Sequence, residues 1–256
     1  MTTSPAPISV QLYSLREESA ADFPGVLRRL GEVGFVGVEL AGFHGLTPAQ
    51  FNEVAADAGL VVSSGHVGNT EAGSLHAALD DLQAVGCSTA VLAFLPPDAF
   101  ADADAVQRSA DTINAAHALA AARGFTFGYH NHWWEFRPLA DGRTAWSHLL
   151  ERLDPGVVIE LDMYWATVGR AAPTDVIAGL GDRLHLLHVK DGPADSSKNP
   201  MVAVGSGSLD IAGVLAAAPG VAWHVVELDQ CATDMFQAVA DSYRFLVGNG
   251  LSQGRA

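Results

Sequence analysis

The 256-residue sequence predicts an α/β protein, a single-domain closed (β/α)8 barrel. Three observations carry that prediction. Eight short β-rich runs alternate with longer Ala- and Leu-rich runs along the whole chain. Eight such units in about 250 residues match the size of one barrel. An open doubly wound sheet usually carries a Gly-rich phosphate loop after its first strand, and here that position reads QLYSLREES.

The strand candidates, in order, begin with ISVQLYSL from Ile8, FVGVEL from Phe35, LVVSSGHV from Leu60 and STAVLAFL from Ser88. FTFGYHNH from Phe125, VVIELD from Val157, LHLLHVK from Leu184 and VAWHVVELD from Val221 complete the eight. Between them lie helix signals. Thr47-Pro48 sets a cap residue before a proline at the first helical position, and AQFNEVAADAG follows with its terminal glycine. Asp102 to Arg123 holds apolar residues at helical spacing and ends at Gly124. Asp210–Ala217 and Ala232–Val247 read as helical too. Strands alternating with helices make right-handed βαβ units and a parallel sheet. No linker or composition break divides the chain, so the barrel is expected over 1–256, with its core at about 8–248.

Composition narrows the function. Hydrophobic residues are 49% and charged residues 17%, the balance of a globular protein rather than a disordered one. No apolar run reaches the roughly 18 residues of a membrane helix. The start, MTTSPAPISV, lacks the basic and apolar regions of a signal peptide. Cys87 and Cys231 are too few for a disulfide framework, so a cytoplasmic protein is expected. With 14 basic against 29 acidic residues the formal charge is −15, and no basic patch offsets it, which argues against a nucleic-acid partner.

Barrel active sites lie at the carboxyl ends of the strands. The unusual polar residues fall there: Glu39, His66, His130 with Asn131 and His132, Asp162, His188 with Lys190, and Glu227 with Asp229. Glu135 lies just past the fifth strand, and Glu160 sits deeper on the face of Asp162. Alternation puts His130 and His132 on one face, and His188 and Lys190 on one face. Carboxylates with one or two imidazoles from neighbouring strands suit a single divalent ion, Mn²⁺, Mg²⁺, Co²⁺ or Zn²⁺. Asp162, His188 and Glu227 come from three successive strands, and His130 is the nearest fourth ligand. His185 and His224 have the opposite parity and belong to the helix side.

VGVELAGF, GYHNHWWEF, ELDMYW, LLHVKDG and VVELD, in this order and spacing, resemble the xylose-isomerase-like TIM-barrel superfamily of sugar phosphate isomerases and epimerases. The resemblance runs from Val10 to about Phe245. It implies a divalent metal ion, Mn²⁺ first, and an enediolate route on a sugar or keto-sugar, phosphorylated or not. Inosose-dehydratase-like or 3-keto-glycoside lyase chemistry is the alternative, and a non-catalytic sugar-binding barrel is the second. The matching positions make Asp162, His188 and Glu227 ligands, with His130 where many epimerases of the family carry a glutamate. Glu227, His132 and Glu135 are the candidate catalytic bases. Glu39, His66, Trp165 and Lys190 are the expected substrate contacts. The resemblance also implies a small-molecule sugar partner and, since relatives are often dimers or tetramers, a possible homo-oligomer. The Gly/Ser-rich stretch from Lys190 to Asp210 is expected to be either a lid bearing Lys198 as an anion contact or an ordinary mobile loop.

Overall fold

Eight parallel strands pair in chain order and close on themselves, as the computed structural model of residues 4–255 shows. The strands are β1 (Ile8–Gln11), β2 (Gly37–Leu40), β3 (Val61–Val67), β4 (Thr89–Leu92), β5 (Thr126–His130), β6 (Val158–Asp162), β7 (Leu184–Val189) and β8 (Trp223–Val226). β1 pairs with both β2 and β8, so no sheet edge remains. The helices of the outer layer are α1 (Arg16–Val33), α2 (Pro48–Asp57), α3 (Ala72–Ala84), α4 (Ala103–Ala121) and α5 (Ala145–Arg152). They continue with α6 (Met163–Val168), α7 (Pro173–Leu180), α8 (Ile211–Ala217) and α9 (Met235–Gly248). The beginning of MTTSPAPISV, residues 1–3, lies outside the described residues, as does residue 256.

Local chemistry explains the boundaries. Thr47 accepts the Gln50 N–H while the Gln50 side chain accepts the Thr47 N–H, a reciprocal cap that starts α2. Gly124, at φ 80°, reverses the chain after α4 into β5. β1 and β5 are among the strands that end before their β-rich runs do. The Gln11 side chain accepts the Tyr13 N–H, which tightens Leu12–Leu15 into a 3-10 turn and lifts Tyr13 to the rim. β5 stops at His130, and a second 3-10 turn forms at Trp134–Phe136.

The lower barrel is filled by apolar side chains with glycines opposite them. A Cβ on Gly37 would sit 3.1 Å from the Trp223 ring, and one on Gly128 would sit 3.1 Å from the Val158 side chain. Large and small residues thus share the taper of the barrel. The upper barrel is filled instead by buried polar groups, among them Gln11, Glu39, Ser64, His130, Glu160, Asp162 and His188. That division positions the site. No helix among the described residues is long and apolar enough to cross a membrane.

Candidate functional site

β5, β6 and β7 deliver His130, Asp162 and His188, and Glu227 follows β8 by one residue. One donor atom from each lies within 4.8 Å of the others, and all four residues are buried. Register brings them together: Asp162 is the lateral partner of His188, and His130 that of Glu160. Asp162 is held from several sides. Its Oδ1 accepts the Trp165 N–H at 2.8 Å and caps α6. The Asn131 side chain accepts the Asp162 N–H at 2.9 Å and donates to its carbonyl at 3.2 Å. Oδ2 is left with no aligned hydrogen bond.

A layer of carboxylates and imidazoles lies beside these groups. Glu160 Oε2 meets His66 Nε2 at 2.7 Å, His130 Nδ1 at 3.0 Å and His188 Nε2 at 3.2 Å. Burial would raise the Glu160 carboxyl, but His188 and His66 outweigh it and hold the group well below the usual range. An ionised carboxylate only accepts hydrogen bonds, so His130 Nδ1 carries the proton and Nε2 keeps its lone pair, 3.7 Å from Asp162 Oδ2. Burial lowers His130 to about 3, leaving it neutral. His188 differs. Burial would lower it, but Glu160, Glu227 and Glu39 hold it well above its ordinary value, with Glu227 at 2.8 Å from Nδ1 and Glu39 at 2.8 Å from Nε2.

Two imidazoles and two carboxylates are a donor set for Mn²⁺, Zn²⁺ or Co²⁺, and a His oriented by a carboxylate is the usual supporting arrangement. Asp162 Oδ2, which takes no aligned hydrogen bond, and the free lone pair of His130 Nε2 fit such an ion. Here, beside the positively held His188, the ammonium of Lys190 stands among these groups. It lies 2.8 Å from Asp162 Oδ2, 2.5 Å from Glu227 Oε2 and 2.6 Å from Asp229 Oδ2. Burial would lower Lys190, but Asp162, Asp229 and Glu227 hold it well above its ordinary value.

A cavity of 430 Å³ opens beside the cluster. His66, His130, His132 and Glu227 line it. The remaining expected contacts do not. Glu39 is fully buried and spent on Gln11 Nε2, Ser64 Oγ and His188 Nε2, because it enters the barrel where the β2–β3 register slips beside it. Trp165 is turned by the cap of α6 to pack 4.6 Å from Trp133 and 5.5 Å over Lys190. Lys190 itself is enclosed by its three carboxylates. His132 reaches the wall from the turn after β5 rather than by strand alternation, with its ring stacked 4.4 Å from Trp134. Burial keeps it well below its ordinary pKa, and its Nδ1 has no partner.

Glu135 is also off the wall. Its Oε1 accepts from the Tyr129 hydroxyl at 2.7 Å and its Oε2 from the His132 N–H at 3.1 Å. Burial pushes this carboxyl up to about 7. Between its ordinary value of 4.5 and about 7 the folded protein keeps a proton that the unfolded chain has lost, so stability falls as pH rises through that window. The shift corresponds to about 3 kcal/mol. Glu135→Gln is expected to flatten this slope in denaturant unfolding between pH 5 and 8. An unchanged slope would show that the carboxyl titrates normally.

Four contributors lay outside the sequence expectation: Gln11 and Ser64 holding Glu39, and Tyr13 and Phe94 on the cavity wall. Asp229, noted only as a strand-end acid, closes the cage around Lys190. QLYS after the first strand is the one signal that could have indicated Gln11 and Tyr13. The lid or mobile-loop expectation gives way to a pinned loop. The buried Asp191 carboxylate accepts four backbone N–H groups, from Gly192, Gly205, Gly207 and Leu209. Lys198 is exposed and does not line the cavity.

Comparison with known proteins places this geometry in a family. The family model described as xylose isomerase-like TIM barrel matches residues 27–223. Among solved structures, a sugar phosphate isomerase/epimerase from Parabacteroides distasonis superposes with a TM-score of 0.85 at 25% identity, covering 98% of this chain and 96% of that one. A second from the same organism gives 0.82 at 26% identity, with 94% and 98% covered. An L-ribulose 3-epimerase shares the fold at a TM-score of 0.68 and 16% identity, over 96% and 94%. No curated protein sequence matches significantly. With the family model covering most of the barrel, the chain belongs to the xylose isomerase-like TIM barrel family.

Proposed function

We propose that the protein is a divalent-metal-dependent isomerase or epimerase of a sugar or keto-sugar, working through an enediolate. The convergence of His130, Asp162, His188 and Glu227 beside a 430 Å³ cavity carries this reading. The sugar phosphate isomerase/epimerase names of the similar structures support the substrate class. Those four residues would hold the ion, with Mn²⁺ the first choice, and Lys190 would release Asp162 and Glu227 to admit it. When bound, the ion polarises the carbonyl and stabilises the negative charge that develops on it.

The chain's own residues move the protons. Burial would raise Glu227, but Lys190 and His188 hold it ionised, and it lines the cavity. It takes the proton from the carbon next to the carbonyl. Neutral His132 passes a proton between the carbonyl and hydroxyl oxygens, the kind of step worth about 10²–10⁴-fold. Glu227 then returns its proton to the neighbouring carbon, which completes an isomerisation. Glu39 and Glu160 orient the imidazoles, and Glu135 holds His132 through its backbone.

Glu227 and Asp229 are the carboxylates on the wall, and Lys190 binds both. Both follow β8, so the wall holds no opposed pair of carboxylates, which favours one-base isomerisation over two-base epimerisation. That arrangement equally serves elimination beside a keto group, the lyase alternative. The test is to incubate protein dialysed against Mn²⁺ with a panel of ketoses and keto-sugars in D₂O. Deuterium at the carbon next to the carbonyl, a product of otherwise unchanged mass and about one ion per chain are expected. A dehydrated or aglycone-free product selects the lyase. No bound ion together with no exchange overturns the proposal.

A further inference from the structure

Phosphate groups in barrels of this kind are commonly held by backbone N–H groups in the loops after the seventh and eighth strands. In this chain the loop after β7 makes such a nest and fills it from within. Asp191, next to Lys190 and almost fully buried, accepts the N–H groups of Gly192 at 2.8 Å, Gly205 at 2.9 Å, Gly207 at 2.9 Å and Leu209 at 3.2 Å. A Cβ on Gly207 would fall 2.1 Å from the Asp191 carboxylate, so the amide cradle closes tightly on it. No amide of this group is left for a second anion.

The cavity offers no substitute. Neither Lys nor Arg lines it, and it carries the carboxylates of Glu227 and Asp229. The buried ammonium of Lys190 is matched by three carboxylates, and it keeps Asp229 where the proposed ion takes Asp162 and Glu227; the His66 ring faces Glu39 and Glu160. Arg16, beside the mouth, donates to the carbonyls of Tyr13 and Asp229 and covers the Tyr13 ring at 4.4 Å. A phosphate ester, carrying about −1.5 to −2 at neutral pH, would meet two carboxylates and no Lys or Arg on the cavity wall, and the proposed ion is committed to the carbonyl end of the substrate.

The mouth is instead aromatic. Tyr13 and Phe94, 46% and 48% exposed, both line it, and they are two of the three large hydrophobic residues exposed among the described ones. Phe94 is fixed edge-on against His132 at 5.3 Å and against Trp134 at 5.5 Å. Rigid exposed rings over a polar floor match the amphipathic surface of a sugar, whose C–H face packs on them while its hydroxyls face the imidazoles and carboxylates.

We propose that Asp191 closes the amide nest after β7 and that the site takes an uncharged sugar packed against Tyr13 and Phe94, not a sugar phosphate. This rests on the reading of the site as one for sugars. The test measures binding by calorimetry with Mn²⁺-dialysed protein, using neutral ketoses and keto-glycosides against their phosphorylated counterparts, with inorganic phosphate as competitor. At least one neutral sugar is expected to bind about tenfold or more tightly than its phosphate ester, and inorganic phosphate is expected not to compete. Tyr13→Ala and Phe94→Ala, both at exposed positions, are each expected to weaken that binding roughly three- to tenfold. Tighter binding of the esters, competition by phosphate, no effect of either substitution or no neutral sugar bound at all would each overturn the proposal. Hydrogen exchange in D₂O is read separately: binding of a neutral sugar without exchange removes the isomerase reading and leaves the charge preference standing.

Discussion

Lys190→Met is expected to destabilise the metal-free protein by about 3–5 kcal/mol and to tighten its hold on Mn²⁺. Removing one partner of a buried ion pair leaves an uncompensated buried charge, and that is the usual size of the loss. Lys190 answers Asp162, Glu227 and Asp229 at once. Without it, three acids crowd together where the ligand set of the proposed ion lies. Mn²⁺ should then recover much of the loss, since an ion at a hundred times its Kd contributes about 2.7 kcal/mol. In the wild type the ion must displace the ammonium, so the gain is smaller. Denaturant unfolding in chelator and in Mn²⁺, for both proteins, gives the four values required. Equal stability in chelator, or weaker Mn²⁺ binding by the variant, would separate Lys190 from the ion's position.

Asp162→Asn is expected to keep the fold, lose the metal ion and lower turnover by about 10²–10⁴-fold. Asparagine can still accept the Trp165 N–H that caps α6, so the local helix start survives. The charge and the Oδ2 ligand atom do not survive. A bound ion supplies several kcal/mol of charge stabilisation in the reaction, and each 1.36 kcal/mol is a factor of ten. Asp162→Ala also removes the cap and is expected to cost about 1 kcal/mol of stability more. Elemental analysis with turnover decides the matter. A metal-loaded, active Asp162→Asn enzyme would remove Asp162 from the ligand set.

The barrel and the four-residue cluster were legible because both depend on period and order. A strand that alternates and a site that gathers at strand ends place Asp162, His188 and Glu227 together with no knowledge of packing. His130 fell into the cluster by the same rule. His132 reached the cavity wall for a different reason, because β5 ends two residues before it and a turn presents the ring. Glu39 and Lys190 have the polarity and position of substrate contacts, yet the structure spends both on protein partners. Whether a strand-end charge meets a ligand or another side chain depends on its depth and on its neighbours' charges, and neither is a property of local sequence.

The sequence by itself determined the eightfold βα order, the end of the barrel that carries chemistry and the residue types gathered there, since these follow from periodicity and composition. The tertiary structure decided which acids are ionised, where Lys190 puts its charge, that Asp191 consumes amides of the loop after β7, and that Tyr13 and Phe94 line one cavity. The first three outcomes turn on distances of 2.5 to 3.2 Å between residues as far apart in sequence as His188 and Glu39. Burial makes each such contact strong, and only the closed barrel creates that burial.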